Sequence, residues 1–219
     1  MGTYLITGAN RGIGQEYCRQ LQARGDRAIA ICRKPSAELT ALGIQVIAGI
    51  DVTQDADVAR LQSELRGVAI DVLINNAAII ENVSLASLDF DSIRRQFEIN
   101  AIGPLRVTKA LLGNLAAGAK VALMTSRMGS IDDNTSGGSY GYRMSKVALC
   151  MAGKSLSHDL KPQGIAVAIL HPGLVQTRMT GFSGITTETA VTGLLARIDL
   201  LTLGNTGTFW HSNGEVLPW

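Results

Sequence analysis

Thr3-Tyr-Leu-Ile-Thr7-Gly8-Ala-Asn10-Arg11-Gly12-Ile13-Gly14 passes from a short, apolar, partly β-branched run into a glycine cluster spaced Gly-x-x-x-Gly-x-Gly. Such a run suits a buried strand, and the residues from Gly12 onward read as an amphipathic helix, so the glycines fall in the turn between the two. That turn brings backbone N–H groups, at the positive end of a helix, within reach of a pyrophosphate. A glycine cluster by itself marks an ordinary tight turn more often than a ligand site. Its position between a strand and a helix is what favours dinucleotide binding.

Outward from this stretch, apolar strand-like runs alternate with amphipathic segments. Strands are expected at residues 3–7, 27–32, 44–49, 70–75, 119–125, 165–171 and 206–210, with helices between them that include 12–24, 55–66, 89–113 and 140–160. Seven buried-looking strands, most of them joined by a helix, predict an α/β fold with a Rossmann-type, doubly wound parallel sheet and helices on both faces. Ligands of such sheets bind outside the carboxyl ends of the strands. Gly8, Asn75, Ser126 and Pro172 all fall at those ends and are expected to line one crevice. No repeat or linker divides the chain, and one domain spanning 1–219 is expected.

Tyr142-Arg-Met-Ser-Lys146 places a phenol and an ammonium four residues apart, neighbours on one face of a helix. A free phenol titrates near pH ~10, and a fixed positive charge beside it favours the ionised form, making it a usable proton donor and acceptor. The same spacing also arises in helices where both side chains are merely solvated. Tyr140 is a weaker choice than Tyr142, because the residue four beyond it is Met144.

Further segments accompany the glycine turn and the Tyr-Lys pair. They are Asn75-Asn76-Ala77-Ala78 after the apolar run Ile70–Ile74, Asn100 late in a helix, Ser126 closing Val121-Ala-Leu-Met-Thr-Ser126, and His171-Pro172-Gly173-Leu-Val175-Gln-Thr177. In order and spacing the whole set resembles the short-chain dehydrogenase/reductase family along essentially the full chain. The resemblance implies an oxidoreductase in which Tyr142 gives the proton and Ser126 holds the carbonyl oxygen. Lys146 would bond the nicotinamide ribose and lower the Tyr142 pKa, and Asn100 would position a water linking Lys146 to solvent. Asn100 could instead satisfy a helix end, and Ser126 could cap a strand. Ser130 is a rival to Ser126 only if the turn Met128–Ile131 folds back towards the cofactor.

The cofactor residues implied by the resemblance are Gly8, Asn10, Arg11, Gly12, Ile13 and Gly14 at the turn, Asp51 and Val52 at the adenine, and Asn76, Ala77 and Ala78 beside them. Pro172, Gly173, Val175 and Thr177 would bracket the nicotinamide, alongside Tyr142 and Lys146. The family more commonly ends the Asn-Asn-Ala motif with glycine, so Ala78 departs from it. Asp51 could equally serve a helix start, with Thr53 and Asp55. At the end of the second strand, where an NAD site usually carries a carboxylate for the ribose 2′-hydroxyl, this chain has Cys32 followed by Arg33 and Lys34. With Arg11 nearby, these cations suit a 2′-phosphate, so NADP(H) is expected. The alternative is that Arg33 and Lys34 form a solvated turn.

Composition sets bounds on this reading. The 219 residues are 46% hydrophobic and include 24 glycines, which suits many strand-to-helix turns, as does a mean hydropathy of +0.19. A net charge of +2 without a basic stripe disfavours nucleic-acid binding. Cys18, Cys32 and Cys150 are scattered and lack metal-site spacing, so no metal is expected. A first strand that starts almost at Met1 leaves no room for a signal peptide, and no apolar run reaches the ~20 residues of a membrane helix. A cytoplasmic protein is expected, without a membrane partner.

The loop Arg127–Ser139 and the lid-like stretch Arg178–Thr187 are the expected walls of a substrate pocket. Their few charges suggest a small, mainly apolar aldehyde, ketone or corresponding alcohol. The closing segment Gly207–Trp219, together with Ile31-Cys-Arg-Lys34 and the long Ser126–Tyr142 loop, is similar to carbonyl reductases and cell-signalling C-factor proteins of the family. A dinucleotide-sensing or signalling role with incidental catalysis is therefore the alternative function; the intact Ser-Tyr-Lys set argues against it. Epimerases and dehydratases with a related Tyr-Lys pair generally carry a larger carboxy-terminal region. The resemblance also implies a homodimer or homotetramer built on the long helices 89–113 and 140–160.

Overall fold

The structure, a computed structural model, describes residues 1–219. Seven strands, β1 (Thr3–Thr7), β2 (Arg27–Ile31), β3 (Gln45–Ile47), β4 (Ile70–Asn75), β5 (Leu115–Met124), β6 (Ala166–His171) and β7 (Thr208–His211), form one sheet in the order β3-β2-β1-β4-β5-β6-β7. Every pairing is parallel. The order reverses between β1 and β4, and this switch point is where the glycine turn sits.

Side-chain alternation within each strand sends successive residues to opposite faces. Ile6, Ala30, Ile74, Ala122 and Ala168 share one core cluster with Tyr17, Cys18 and Leu21 of α1 (Gly12–Ala23). The same face meets α7 (Thr187–Asp199), through Val191, Leu194 and Ile198. Leu5, Ile29, Leu73, Val121 and Val167 face the other way, against Val58 and Leu61 of α3 (Asp55–Glu64), Val107 of α5 (Gly103–Ala110) and Leu149 of α6 (Tyr140–Leu160). A short α2 (Ala37–Ala41) precedes β3. The two apolar faces explain why the strands read as continuous hydrophobic runs.

The expected helix over 89–113 is not continuous. It is α4 (Phe90–Phe97), a π-helical turn Glu98–Ile102, and α5, followed by a single 3-10 turn Leu112–Asn114. Pro104 near the start of α5 has no N–H to continue an α-helical ladder, and one wide turn absorbs the break. Asn100 lies within that turn, fully buried. Strand β3 is shorter than the expected 44–49, while β5 begins earlier than 119.

The end of β1 is joined to the end of β4 by a polar bracket. Thr7, 1% exposed, accepts on Oγ1 from the N–H groups of Asn76 (3.0 Å) and Ala77 (3.1 Å). In return Asn76 Nδ2 donates to the carbonyls of Thr7 (3.0 Å) and Gly8 (3.2 Å). Thr7→Val keeps the shape and strands two inward N–H groups, so a loss of about 2–3 kcal/mol is expected in urea unfolding at unchanged m-value.

Candidate active site

β1, β4, β5 and β6 are neighbours in the sheet, and Gly8, Asn75, Ser126 and Pro172 stand at or just beyond their carboxyl ends. Gly8 has φ +66°, and a Cβ there would lie 2.8 Å from the Cα of Ala77, so only glycine lets the turn pass this close to the strap after β4. A Cβ on Gly12 would come 3.3 Å from the Thr177 methyl, which places the loop after β6 against the same turn. Asn10 and Ile13 are half-buried beside it, Ile13 packing on the core that α1 shares with the sheet. Arg11 precedes α1 in extended backbone; no side chain caps that helix, and its first turn carries no acidic residue. Those backbone donors and an unopposed helix dipole fit a pyrophosphate.

At the end of β2, Arg33 and Lys34 are exposed, and Arg33 Nη1 stands 3.7 Å from Asp51 Oδ2. Asp51 also accepts on Oδ1 from the N–H (3.0 Å) and hydroxyl (2.8 Å) of Thr53, so it organises the turn leading to α3. Partial burial pushes its carboxyl up, but the Thr53 bonds and the Arg33 charge together hold it below the usual value. Val52 points into the core, and its carbonyl accepts from Arg106 Nη1 at 3.0 Å. Ala78 is half-buried on the strap.

Across the crevice, Ser126 and Tyr142 are both buried, and Lys146 is 1% exposed. Ser126 caps a 3-10 turn, Arg127–Gly129, accepting from the Met128 N–H at 3.1 Å and keeping its own proton to donate. Ser130 is buried further along the same loop, its Oγ accepting from the Asp133 N–H at 3.1 Å. Lys146 Nζ lies 5.6 Å from the centre of the Tyr142 ring and donates to the Met124 carbonyl at 2.8 Å. Asn100 Nδ2 donates to the Ile79 carbonyl (2.9 Å) and to Ser145 Oγ (3.0 Å), and Oδ1 accepts from the Ile79 N–H (2.8 Å). Ser145 in turn donates to the Tyr142 carbonyl at 2.8 Å. The amide has no N–H left for a water, only acceptor capacity on Oδ1.

The expected depression of the Tyr142 pKa by Lys146 is not what this structure shows. Burial pushes the phenol up to about 12, with the Ser126 hydroxyl pulling the other way. Burial also holds Lys146 down to about 8, against a smaller upward pull from Cys150. Desolvation therefore outweighs the Ser126 hydrogen bond at Tyr142 and the pull of Cys150 at Lys146, and the phenol is protonated at neutral pH.

The flanks of the site are tied together by ion pairs and backbone bonds. Arg127 lies between two carboxylates, Nη2 2.7 Å from Glu215 Oε2 and Nε 3.4 Å from Asp133 Oδ2, and so ties the serine loop to the carboxy-terminal segment. The Asp132 N–H adds a bond to the Trp219 carbonyl at 3.0 Å. His171 stacks edge-on against His211 at 4.9 Å, and burial holds it neutral, down to about 3. Pro172 accepts from Ser212 Oγ at 2.9 Å, and buried Val175 starts a segment that closes on itself. Val175 bridges Ile185, the Gln176 N–H bonds the Ile185 carbonyl (2.9 Å), and the Ile185 N–H bonds the Leu174 carbonyl (2.9 Å). No group of three or more His, Cys, Asp or Glu is arranged to hold a metal, and no helix is long and apolar enough to cross a membrane.

A glycine turn at the sheet's switch point, with a serine, a tyrosine and a lysine facing it, defines a dinucleotide-dependent oxidoreductase class, and the chain belongs to the short-chain dehydrogenase family, whose model, described as short chain dehydrogenase, matches residues 3–187. Among particular proteins, it is 46% identical to the 1-hydroxy-2-glutathionyl-2-methyl-3-butene dehydrogenase of Rhodococcus sp. (strain AD45), over 100% of both chains. It is 47% identical to the C-signal of Myxococcus xanthus over 68% of this chain and 93% of that protein. In structure it is similar to the NADPH-bound carbonyl reductase from chicken fatty liver, with a TM-score of 0.91 at 28% identity, covering 100% of this chain and 99% of that one.

The buried Lys146 has a stability consequence. Its folded pKa, about 8, lies below the ordinary 10.5, so the unfolded chain binds more protons between those values and stability rises with pH across that window. A shift of that size corresponds to a cost on the order of 3 kcal/mol below the window. Lys146→Met is expected to melt higher than the parent at pH 7, with the gap closing towards pH 10 in melts followed by circular dichroism.

Proposed function

We propose that this chain, as one domain spanning 1–219, is an NADP(H)-dependent oxidoreductase of the carbonyl reductase type. It would interconvert a small aldehyde or ketone and its alcohol. The observation that carries the reading is that buried Ser126, Tyr142 and Lys146 stand together at the carboxyl end of β5, on the same sheet edge as the glycine turn that follows β1. The NADPH in the chicken carbonyl reductase and the exposed Arg33 and Lys34 support the choice of cofactor.

When bound, the nicotinamide supplies or accepts a hydride; the protein's own groups manage the oxygen and the proton. Ser126 donates to the substrate oxygen as negative charge develops there. Tyr142, protonated at neutral pH, gives its proton to that oxygen in reduction and takes it back in oxidation. Lys146 turns its remaining donors to the ribose and offsets charge on the phenolate, and Asn100 fixes the strap and the start of α6. Gly8, Asn10, Arg11, Gly12, Ile13 and Gly14 hold the pyrophosphate. Arg11, Arg33 and Lys34 meet the 2′-phosphate, while Asp51, Val52, Asn76, Ala77 and Ala78 line the adenosine side. Pro172, Gly173, Val175 and Thr177 bracket the carboxamide.

A more specific substrate reading rests on the Rhodococcus relative, which by name oxidises an alcohol bearing a glutathionyl group. The open polar loop 130–139 beside Ser126 offers a surface for such a substituent. A cytoplasmic location belongs to the same proposal, as does a homodimer or homotetramer. The exposed Phe90, Ile102, Leu105, Met144 and Met151 on the outer helices are the surface such assembly would bury.

NADPH oxidation with a panel of small aldehydes and ketones, and NADP+ reduction with glutathionyl-substituted alcohols, tests the proposal. Tyr142→Phe is expected to lower kcat at least 100-fold while fluorescence titration shows NADPH affinity within twofold. Firm NADPH binding without turnover on either panel would favour the sensing role. Arg33→Glu places a carboxylate where the 2′-phosphate is expected, and should weaken NADPH at least 10-fold relative to NADH.

A further inference from the structure

Gln96 stands one turn before Asn100, is fully buried, and has no role in the chemistry above. Its amide pairs with the strap as Asn100 does, two residues further along. Oε1 accepts from the Glu81 N–H (3.1 Å), and Nε2 donates to the Glu81 carbonyl (3.1 Å) and to Ser92 Oγ (3.2 Å). Residues 79 and 81 lie on the same side of an extended chain. Two side-chain amides thus stand in for a neighbouring strand and satisfy both backbone groups at each residue.

The strap held in this way continues to Val83, whose carbonyl accepts from the Tyr140 N–H at 3.3 Å, at the first residue of α6. Gly141 follows. A Cβ on Gly141 would lie 2.5 Å from Gln96 Nε2 and 3.2 Å from the Ile93 Cα, so the first turn of α6 rests directly on the Gln96 amide. Tyr142 is the next residue. Asn100 reaches the same turn through Ser145, whose hydroxyl bonds the Tyr142 carbonyl. The tyrosine's backbone is therefore held by Gln96 before it and by Asn100 after it.

We propose that Gln96 is a positioning residue for Tyr142, setting the height and direction of the phenol over the crevice through Glu81 and Gly141 without touching substrate or cofactor. The proposal rests on the oxidoreductase reading only for its kinetic readout. A buried amide with all its bonds made costs little, whereas one stripped of its partners leaves the Glu81 N–H and carbonyl unsatisfied. Loss of the clamp lets the strap and the start of α6 move together, and a displacement of about 1 Å at a proton donor is enough to cost ~100-fold in rate.

Gln96→Met keeps the volume and removes both hydrogen-bonding functions. Its kcat is expected to fall at least 10-fold, with NADPH affinity within twofold and a cooperative melt. Gln96→Glu separates positioning from general destabilisation. A protonated carboxyl reproduces the amide's donor to the Glu81 carbonyl, so its kcat should recover as pH falls and decline as pH rises, relative to the parent. Gly141→Ala leaves the amide in place, pushes a methyl against it and should reproduce the kcat loss; it decides the matter if Gln96→Met does not fold. Independently of turnover, the ring resonance of Tyr142 in tyrosine-labelled protein, assigned with Tyr142→Phe, should shift in Gln96→Met while that of the distant Tyr4 stays in place. A parent protein without turnover would overturn the oxidoreductase reading, and the resonance would then judge the clamp alone. Parental kcat in both Gln96→Met and Gly141→Ala, or an unmoved Tyr142 resonance, would overturn the positioning role.

Discussion

The bracket between Thr7 and Asn76 is the constraint on which the rest of the site depends. It ties the end of β1 to the end of β4 where the strand order reverses, and spends one hydroxyl and one amide on four backbone groups. Without it the glycine turn and the strap after β4 would be two independent loops. With it, the surface facing the pyrophosphate and the surface leading to Asn100 and Gln96 form one rigid piece. The Thr7 hydroxyl and the Asn76 amide N–H groups are partnered, which is how these polar groups can sit between two apolar faces without large cost.

On the opposite wall the energetic logic is different. Lys146 is the largest buried charge in the molecule and has one backbone carbonyl as its hydrogen-bond partner. Desolvation dominates its titration as it dominates that of Tyr142. At neutral pH Tyr142 is held in the neutral form that burial favours, whereas Lys146 carries a charge the fold would not choose for stability alone, as expected where a site is kept for chemistry. The surrounding helix compensates with apolar burial at Leu149, Cys150 and Leu160.

Much of this could be read from the chain, and the gaps have physical causes. Strands β1 and β4 and helix α6 lie at their expected limits because each is bounded by a strong local signal: a glycine turn, a polar Asn-Asn pair, or a glycine-rich loop. The break at residues 98–102 also had a local signal in Gly103-Pro104, but periodicity is nearly blind to one extra residue in a turn. The placement of Gly8, Asn75, Ser126 and Pro172 was legible because each lies at or next to a strand end. The roles of Gln96, Ser145 and Glu215 were not, since each depends on a partner at least 15 residues away. The titration of Tyr142 departs from the expectation for a related reason: spacing reveals the neighbouring charge, whereas the depth of burial emerges only from packing.

The segment between β6 and α7 carries a consequence of another kind. Because Val175 and Ile185 join its two ends by backbone bonds of its own, the residues between them make few demands on the sheet that presents them. The residues of this cassette beyond Thr177 can be rewritten or lengthened by mutation while Ser126, Tyr142 and Lys146 stay untouched. Selection for a new substrate can then proceed without re-solving the folding problem, which helps explain how one scaffold comes to serve many chemically unrelated alcohols and ketones.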